Sequence, residues 1–141
     1  MNWAVTAMQI RLAETAGFCF GVERAVALAE QTARSCKNAV TLGPIIHNRH
    51  VVARFELLGL REISAADEAQ PGQTVVIRAH GIPVGEQRTL SARGAVTVDA
   101  TCPFVKKIHV IAQKAERDGR SLLIIGTPTH PEIIAIASYS S

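Results

Sequence analysis

Five residues in this sequence carry side chains suited to holding a metal or an anion, and each stands where an extended run gives way to a turn. Cys19 lies in Gly17-Phe18-Cys19-Phe20-Gly21, His47 in Pro44-Ile45-Ile46-His47-Asn48 and His80 in Ala79-His80-Gly81. Cys102 lies in Asp99-Ala100-Thr101-Cys102-Pro103, and His130 in Thr127-Pro128-Thr129-His130-Pro131-Glu132. Cys19 and Cys102 each precede a helical pattern, and the partial positive charge of a helix N-terminus favours the thiolate, the form of cysteine that ligates metals. Three imidazoles facing one pocket can bind a metal or donate hydrogen bonds to phosphate oxygens near neutral pH. Helix N-termini after the same turns would add backbone N–H donors, so the pocket suits a diphosphate. Glu132, in the first turn after His130, is placed to act as a general acid or proton relay. Taken singly, a free cysteine is most often a small buried hydrophobe and a loop histidine most often a solvated one. Five in equivalent positions make a pattern.

The elements that must position these residues alternate. Residues 9–13, 39–42, 60–63, 74–78, 95–98 and 121–125 read as short β-rich runs. Between them, residues 21–35, 50–58, 84–92 and 103–118, with a last start at Pro131, read as helices, with apolar stripes at helical spacing at Val22, Ala25, Val26, Ala29 and Ala33 and at Val51, Val52, Phe55 and Leu58. Pro103 and Pro131 suit the first helical turn, and Gly59, Gly94 and Gly119 stand where helices end. The alternation predicts an α/β fold with parallel strands flanked by helices. In such sheets ligands bind beyond the carboxyl ends of the strands, which is where the five residues fall. Cys36 lies at the far end of the helix introduced by Cys19, about 15 residues or roughly 22 Å away, and reads as structural.

Composition narrows the function. The 141 residues are 48% hydrophobic and 19% charged, which excludes intrinsic disorder. A net charge of +3 without a basic cluster, and only 4% aromatic residues, argue for a small anionic ligand and against nucleic acid. The longest apolar runs, at 122–125 and 133–137, fall far short of the ~20 residues that span a bilayer, so no membrane role is expected. Residues 1–9 lack the basic start and apolar stretch of a secretory signal, which makes the cytoplasm the default location. Three widely spaced cysteines do not form a disulfide framework.

The motifs also carry a resemblance. Gly17-Phe18-Cys19-Phe20-Gly21-Val22-Glu23-Arg24-Ala25, His47-Asn48-Arg49, Ala79-His80-Gly81, Asp99-Ala100-Thr101-Cys102-Pro103 and His130-Pro131-Glu132 occur in the order and approximate spacing of the 4-hydroxy-3-methylbut-2-enyl diphosphate reductase family. The chain resembles the N-terminal half of that family. The resemblance implies a trefoil of three related α/β domains around a [4Fe-4S] cluster held by three cysteines, with one iron open to substrate. It implies reductive removal of a hydroxyl from an allylic diphosphate, giving isopentenyl and dimethylallyl diphosphates in the non-mevalonate pathway, with electrons from a donor such as ferredoxin or flavodoxin. Carried over by position, Cys19 and Cys102 are cluster ligands, His47, His80 and His130 contact the substrate, and Glu132 supplies the proton.

It further implies one complete domain at residues 1–98, an incomplete second at 99–141, and a third domain absent, so that the chain is expected to be truncated and inactive alone. The family's third cluster cysteine lies in the missing half, and Ala135 and Ser138 stand where its glycines are expected. An apolar face left by the missing domain is expected to drive self-association. Two alternatives stand beside the reductase: a remnant or diphosphate-binding module without a stable cluster, and a zinc site of Cys19, Cys102 and two histidines, which lacks the close paired spacing of structural zinc motifs.

Overall fold

The computed structural model describes residues 8–140. Expectations that fall on residues 1–7 and on Ser141 lie outside the described residues.

The β-branched run Thr74-Val75-Val76-Ile77 is buried along its whole length and forms the centre of a parallel sheet, as a strand covered on both faces must. Chain order begins with helix α1 (Phe20–Ser35), strand β1 (Val40–Leu42), helix α2 (Arg49–Leu57) and strand β2 (Arg61–Ile63). After a 3-10 turn at Ala66–Glu68 come strand β3 (Thr74–Ile77), helix α3 (Val84–Ala92), strand β4 (Val96–Asp99), helix α4 (Pro103–Arg117) and helix α5 (Pro131–Ala137). The four strands pair in the order β2-β1-β3-β4, every pair parallel. The expected α/β fold with a parallel sheet is what the chain adopts.

Pleating divides the core in two. Val76 faces a cluster with Ala25 and Ala29 of α1 and Phe55 of α2, whereas Val75 and Ile77 face the other side with Val40, Leu42, Ile82 and Leu90. Along α1 the buried residues Gly21, Ala25, Ala29 and Thr32 are small and spaced to one face, so this helix packs closely on the sheet. Cys36 caps the end of α1 and packs against the same cluster, a structural place.

Two expected strands do not form. Residues 9–13 and 121–125 make no ladder with any described strand, and Ile10, Leu12, Leu123 and Ile125 lie exposed. The alternation of 121–125 persists as partly buried Leu122 and Ile124 between exposed neighbours. A strand is completed by the backbone groups of a neighbour, which local periodicity does not supply. Phe104, Ile108 and Ile111, on one side of α4, are also exposed. No described helix is long and apolar enough to cross a membrane.

Candidate functional site

The sheet order places β1 at the point where connections diverge: the chain leaves β1 toward β2 on one side, while β3 and β4 add on the other. The crevice between the carboxyl ends of β1 and β3 is therefore the topological switch point, where open parallel sheets bind ligands. His47 follows β1 and His80 follows β3. The expectation that all five residues follow strands is corrected for Cys19 and His130, whose preceding segments remain unpaired.

Backbone hydrogen bonds continue the ladder past the strand ends and tie the loops together. Ala79 N–H donates to the Ile45 carbonyl (3.1 Å), and Cys102 N–H donates to the Ala79 carbonyl (2.9 Å). The turns carrying His47, His80 and Cys102 are thus one linked platform. Arg24 of α1 donates from its guanidinium to the carbonyls of Thr101 (3.3 Å) and Asp99 (3.4 Å), fastening the Cys102 turn to the helix that Cys19 opens.

His47, His80 and His130 come together. Their ring centroids lie 4.7 Å (His47–His80), 5.5 Å (His80–His130) and 6.2 Å (His47–His130) apart. One nitrogen from each ring falls within 4.8 Å of the others. His47 and His80 line a cavity of about 230 Å³ with Phe18, Val22, Ile46, Asn48 and Ala79. The Nδ1 of His130 accepts the Glu132 N–H (3.2 Å), which leaves Nε2 as the protonated nitrogen of the neutral ring and so a donor.

Burial, reinforced by the neighbouring His47, His130 and Arg78, pushes the His80 imidazole down to about 4 from its ordinary 6.5. At neutral pH it is uncharged, a single N–H donor. Its Nδ1 is buried with no hydrogen-bond partner among the described residues. The unfolded chain takes up this proton near pH 6.5 while the folded chain resists it until about pH 4, so the unfolded state binds more protons across that window. Stability is therefore present above pH 6.5 and lost as pH falls toward 4. With solvent screening of this half-buried ring the loss attributable to His80 is roughly 1–2 kcal/mol, and His80→Phe should flatten that part of a denaturant-measured stability profile.

The helices differ at their N-termini in a way that separates the two halves of the site. The Asn48 side chain accepts from the N–H groups of His50 and Val51 at the start of α2, and His130 caps α5. The N–H groups of His50, Val51 and Glu132 are thereby occupied. Cys19 and Cys102 are the N-cap residues of α1 and α4, and neither has a side-chain cap hydrogen bond. The thiol of Cys102 stands over Gly21, where a Cβ would fall inside contact distance of the sulfur and 3.1 Å from Cys102 Cβ. Gly21 is two residues past Cys19, so the thiols open neighbouring helices at one edge of the platform. Cys19 is exposed and Cys102 half-buried.

Glu132 is half-buried in the first turn of α5. Ala135 is fully buried in that helix, and Ser138 Oγ accepts the Val84 N–H (3.0 Å) while donating to the Ala135 carbonyl (2.7 Å), tying α5 to α3. Sequence reasoning missed His109. It is buried in α4, stacked on Tyr139 at 4.5 Å, and a Cβ at Gly81 would lie 2.5 Å from its Cε1. Burial holds its imidazole below the ordinary range, Asp99 opposing. Its signal was a histidine on the same helical face as Val105 and Ala112. A larger cavity of about 370 Å³, lined among others by Asp99, Lys106, His109 and Tyr139, is separate from the histidine cavity.

The LytB protein family matches residues 10–141. The chain belongs to that family. Among LytB relatives, the 4-hydroxy-3-methylbut-2-enyl diphosphate reductase of Aquifex aeolicus is 44% identical over 133 residues, covering 94% of this chain and 46% of that protein. The reductase of Nitratidesulfovibrio vulgaris is 47% identical over 135 residues, covering 94% and 48%. A solved (E)-4-hydroxy-3-methyl-but-2-enyl diphosphate reductase, the terminal enzyme of the non-mevalonate pathway, superposes with a TM-score of 0.77 at 44% identity, covering 92% of this chain and 46% of its own. The Plasmodium falciparum reductase structure gives 0.83 at 29% identity, covering 89% and 40%. The LytB chain described here spans about half the length of the curated relatives it matches.

Proposed function

We propose that this chain carries the diphosphate-binding and part of the cluster-binding machinery of a 4-hydroxy-3-methylbut-2-enyl diphosphate reductase. The observation that carries the reading is the convergence of His47, His80 and His130 at the switch point of the sheet. Three imidazoles offering N–H groups from three separate turns suit the spread oxygens of a diphosphate better than a single phosphate.

Cys19 and Cys102 would hold an iron–sulfur cluster. The donor set fits: two thiols at uncapped helix N-termini, one over a glycine whose missing Cβ leaves room for its sulfur. Such a cluster supplies electrons and a Lewis-acidic iron. In the overall reaction one C–O bond breaks, and two electrons and two protons convert the hydroxyl to water and place hydrogen on the allyl group. On this reading the triad fixes the diphosphate, Glu132 holds the proton for the departing oxygen, and the apolar side chains of Phe18, Val22 and Ile46 line the crevice for the allyl group. On the same reading the third cluster cysteine belongs to the part of the reductase beyond these 141 residues, and the electrons come from an external donor. Domains at residues 1–98 and 99–141, with a third elsewhere, and self-association through the exposed face of α4 belong to the same proposal.

Two measurements on the 141-residue chain test it. Calorimetry with inorganic pyrophosphate should show one site, weakened at least tenfold in His80→Ala. Absence of any saturable pyrophosphate binding sinks the reading. Iron and acid-labile sulfide after anaerobic reconstitution then separate the alternatives. About four of each per chain means the cluster finds its third ligand from a partner or solvent; little or none, with pyrophosphate still bound, leaves a diphosphate-binding module.

A further inference from the structure

In the histidine crevice the neutral His80 is flanked by the rings of His47 and His130, with Glu132 beside His130. A cation built into the platform beside it is Arg78, which follows β3 directly and acts on His80. Its Nε donates to the Gly81 carbonyl (3.1 Å), and the Gly81 N–H returns a bond to the Arg78 carbonyl (3.0 Å), closing the turn around His80. The other end of the guanidinium lies on Gly43, where a Cβ would come 2.5 Å from Nη1 and 3.5 Å from Cζ. Gly43 opens the turn that carries His47. Gly43 adopts φ +68°, and the Cβ it lacks leaves the guanidinium its seat; Gly81, at φ +76°, shapes the turn that accepts the Nε bond. Arg78 is therefore wedged between the two turns at the switch point. It is half-buried, and among the described residues no carboxylate pairs with it.

We infer that Arg78 is the positioning residue and fixed positive charge of the anion crevice, clamping the His47 and His80 turns and attracting the diphosphate that the imidazoles then hydrogen-bond. This rests on the diphosphate reading and adds to it a residue outside every motif in the chain. Its charge acts on His80, contributing to the depression of that imidazole. Half-buried and unpaired, a guanidinium is screened less than a surface charge, so its removal should be felt through space as well as through geometry.

Pyrophosphate affinity at low and high salt should be compared for the wild-type chain, R78K and R78Q, with folding checked by circular dichroism. R78Q should lose about tenfold in affinity and show a shallower salt dependence, while R78K, which keeps the charge, stays within about threefold of wild type. Equal losses in R78K and R78Q with an unchanged salt slope would mean a clamp alone, and overturn the inference. So would an R78Q affinity matching wild type. If the wild-type chain binds no pyrophosphate, the diphosphate reading falls by itself, and NMR titration of His80 still decides the electrostatic part. A higher His80 midpoint in R78Q supports it and an unmoved one overturns it.

Discussion

Gly81→Ala is expected to lower the melting temperature by roughly 10 °C and to abolish pyrophosphate binding at the same time. Two costs add. At φ +76° an alanine sits in the left-handed region, which costs about 1 kcal/mol relative to glycine. Its Cβ would also lie 2.5 Å from His109 Cε1 and 3.3 Å from Thr101 Cγ2. Overpacking of that kind costs about 1–3 kcal/mol, because His109 is held by Tyr139 and cannot swing away cheaply. The turn between Arg78 and Gly81 then opens, and His80 moves with it. His109→Ala costs stability by itself, through the cavity it leaves beside Tyr139, but should cost less in the Gly81→Ala background, where it also removes the clash. A double-mutant cycle read by denaturant melts isolates that term. Simple additivity of the two losses would mean that His109 does not buttress this turn.

The sequence was most legible where local signals and tertiary environment agree. Thr74-Val75-Val76-Ile77 reads as a strand because β-branched residues suit a sheet covered on both faces, and the sheet centre is where it lies. The helix stripes of α1 and α2 were equally plain, and the turns after β1, β3 and β4 put His47, His80 and Cys102 at the carboxyl edge as expected. Residues 9–13 and 121–125 carry the same period-two pattern and fail to pair, because a strand exists only with a neighbour whose backbone answers it. Nothing within either segment encodes that neighbour.

The candidate site was legible as a set of residues and not as a set of contacts. Asn48 before α2 is a recognisable capping residue, yet its consequence, that the helix amides beside His47 are occupied, appears only with the hydrogen bonds drawn. His130 capping its own helix through Nδ1 has no comparable signature. Arg78, Gly43 and Gly21 belong to the same class. What each does depends on an atom brought near by the sheet order, thirty or more residues away along the chain for Arg78 and Gly43 and about eighty for Gly21 and Cys102.

Gly21→Ala offers the converse experiment, a variant whose fold should survive while its metal chemistry does not. Alanine is the better helix former by up to about 1 kcal/mol, and Gly21 has ordinary helical geometry in the first turn of α1, so backbone strain is absent. The added methyl instead meets the sulfur of Cys102 and, at 3.1 Å, its Cβ. Cys102 is tethered through its N–H to Ala79, and its turn through Asp99 and Thr101 to Arg24, so the thiol must turn aside rather than the loop retreat. Melting should change by no more than about 1 kcal/mol in either direction, while iron retained after anaerobic reconstitution falls at least tenfold. The alkylation rate of Cys102, followed by mass spectrometry against that of Cys36 as an internal control, should shift in the same variant. That second readout is independent of whether the wild-type chain keeps its iron. An unchanged Cys102 rate together with an unchanged iron content would mean that the sulfur has room to spare over Gly21, and that the pairing of Cys19 and Cys102 at the two helix ends does not depend on this contact.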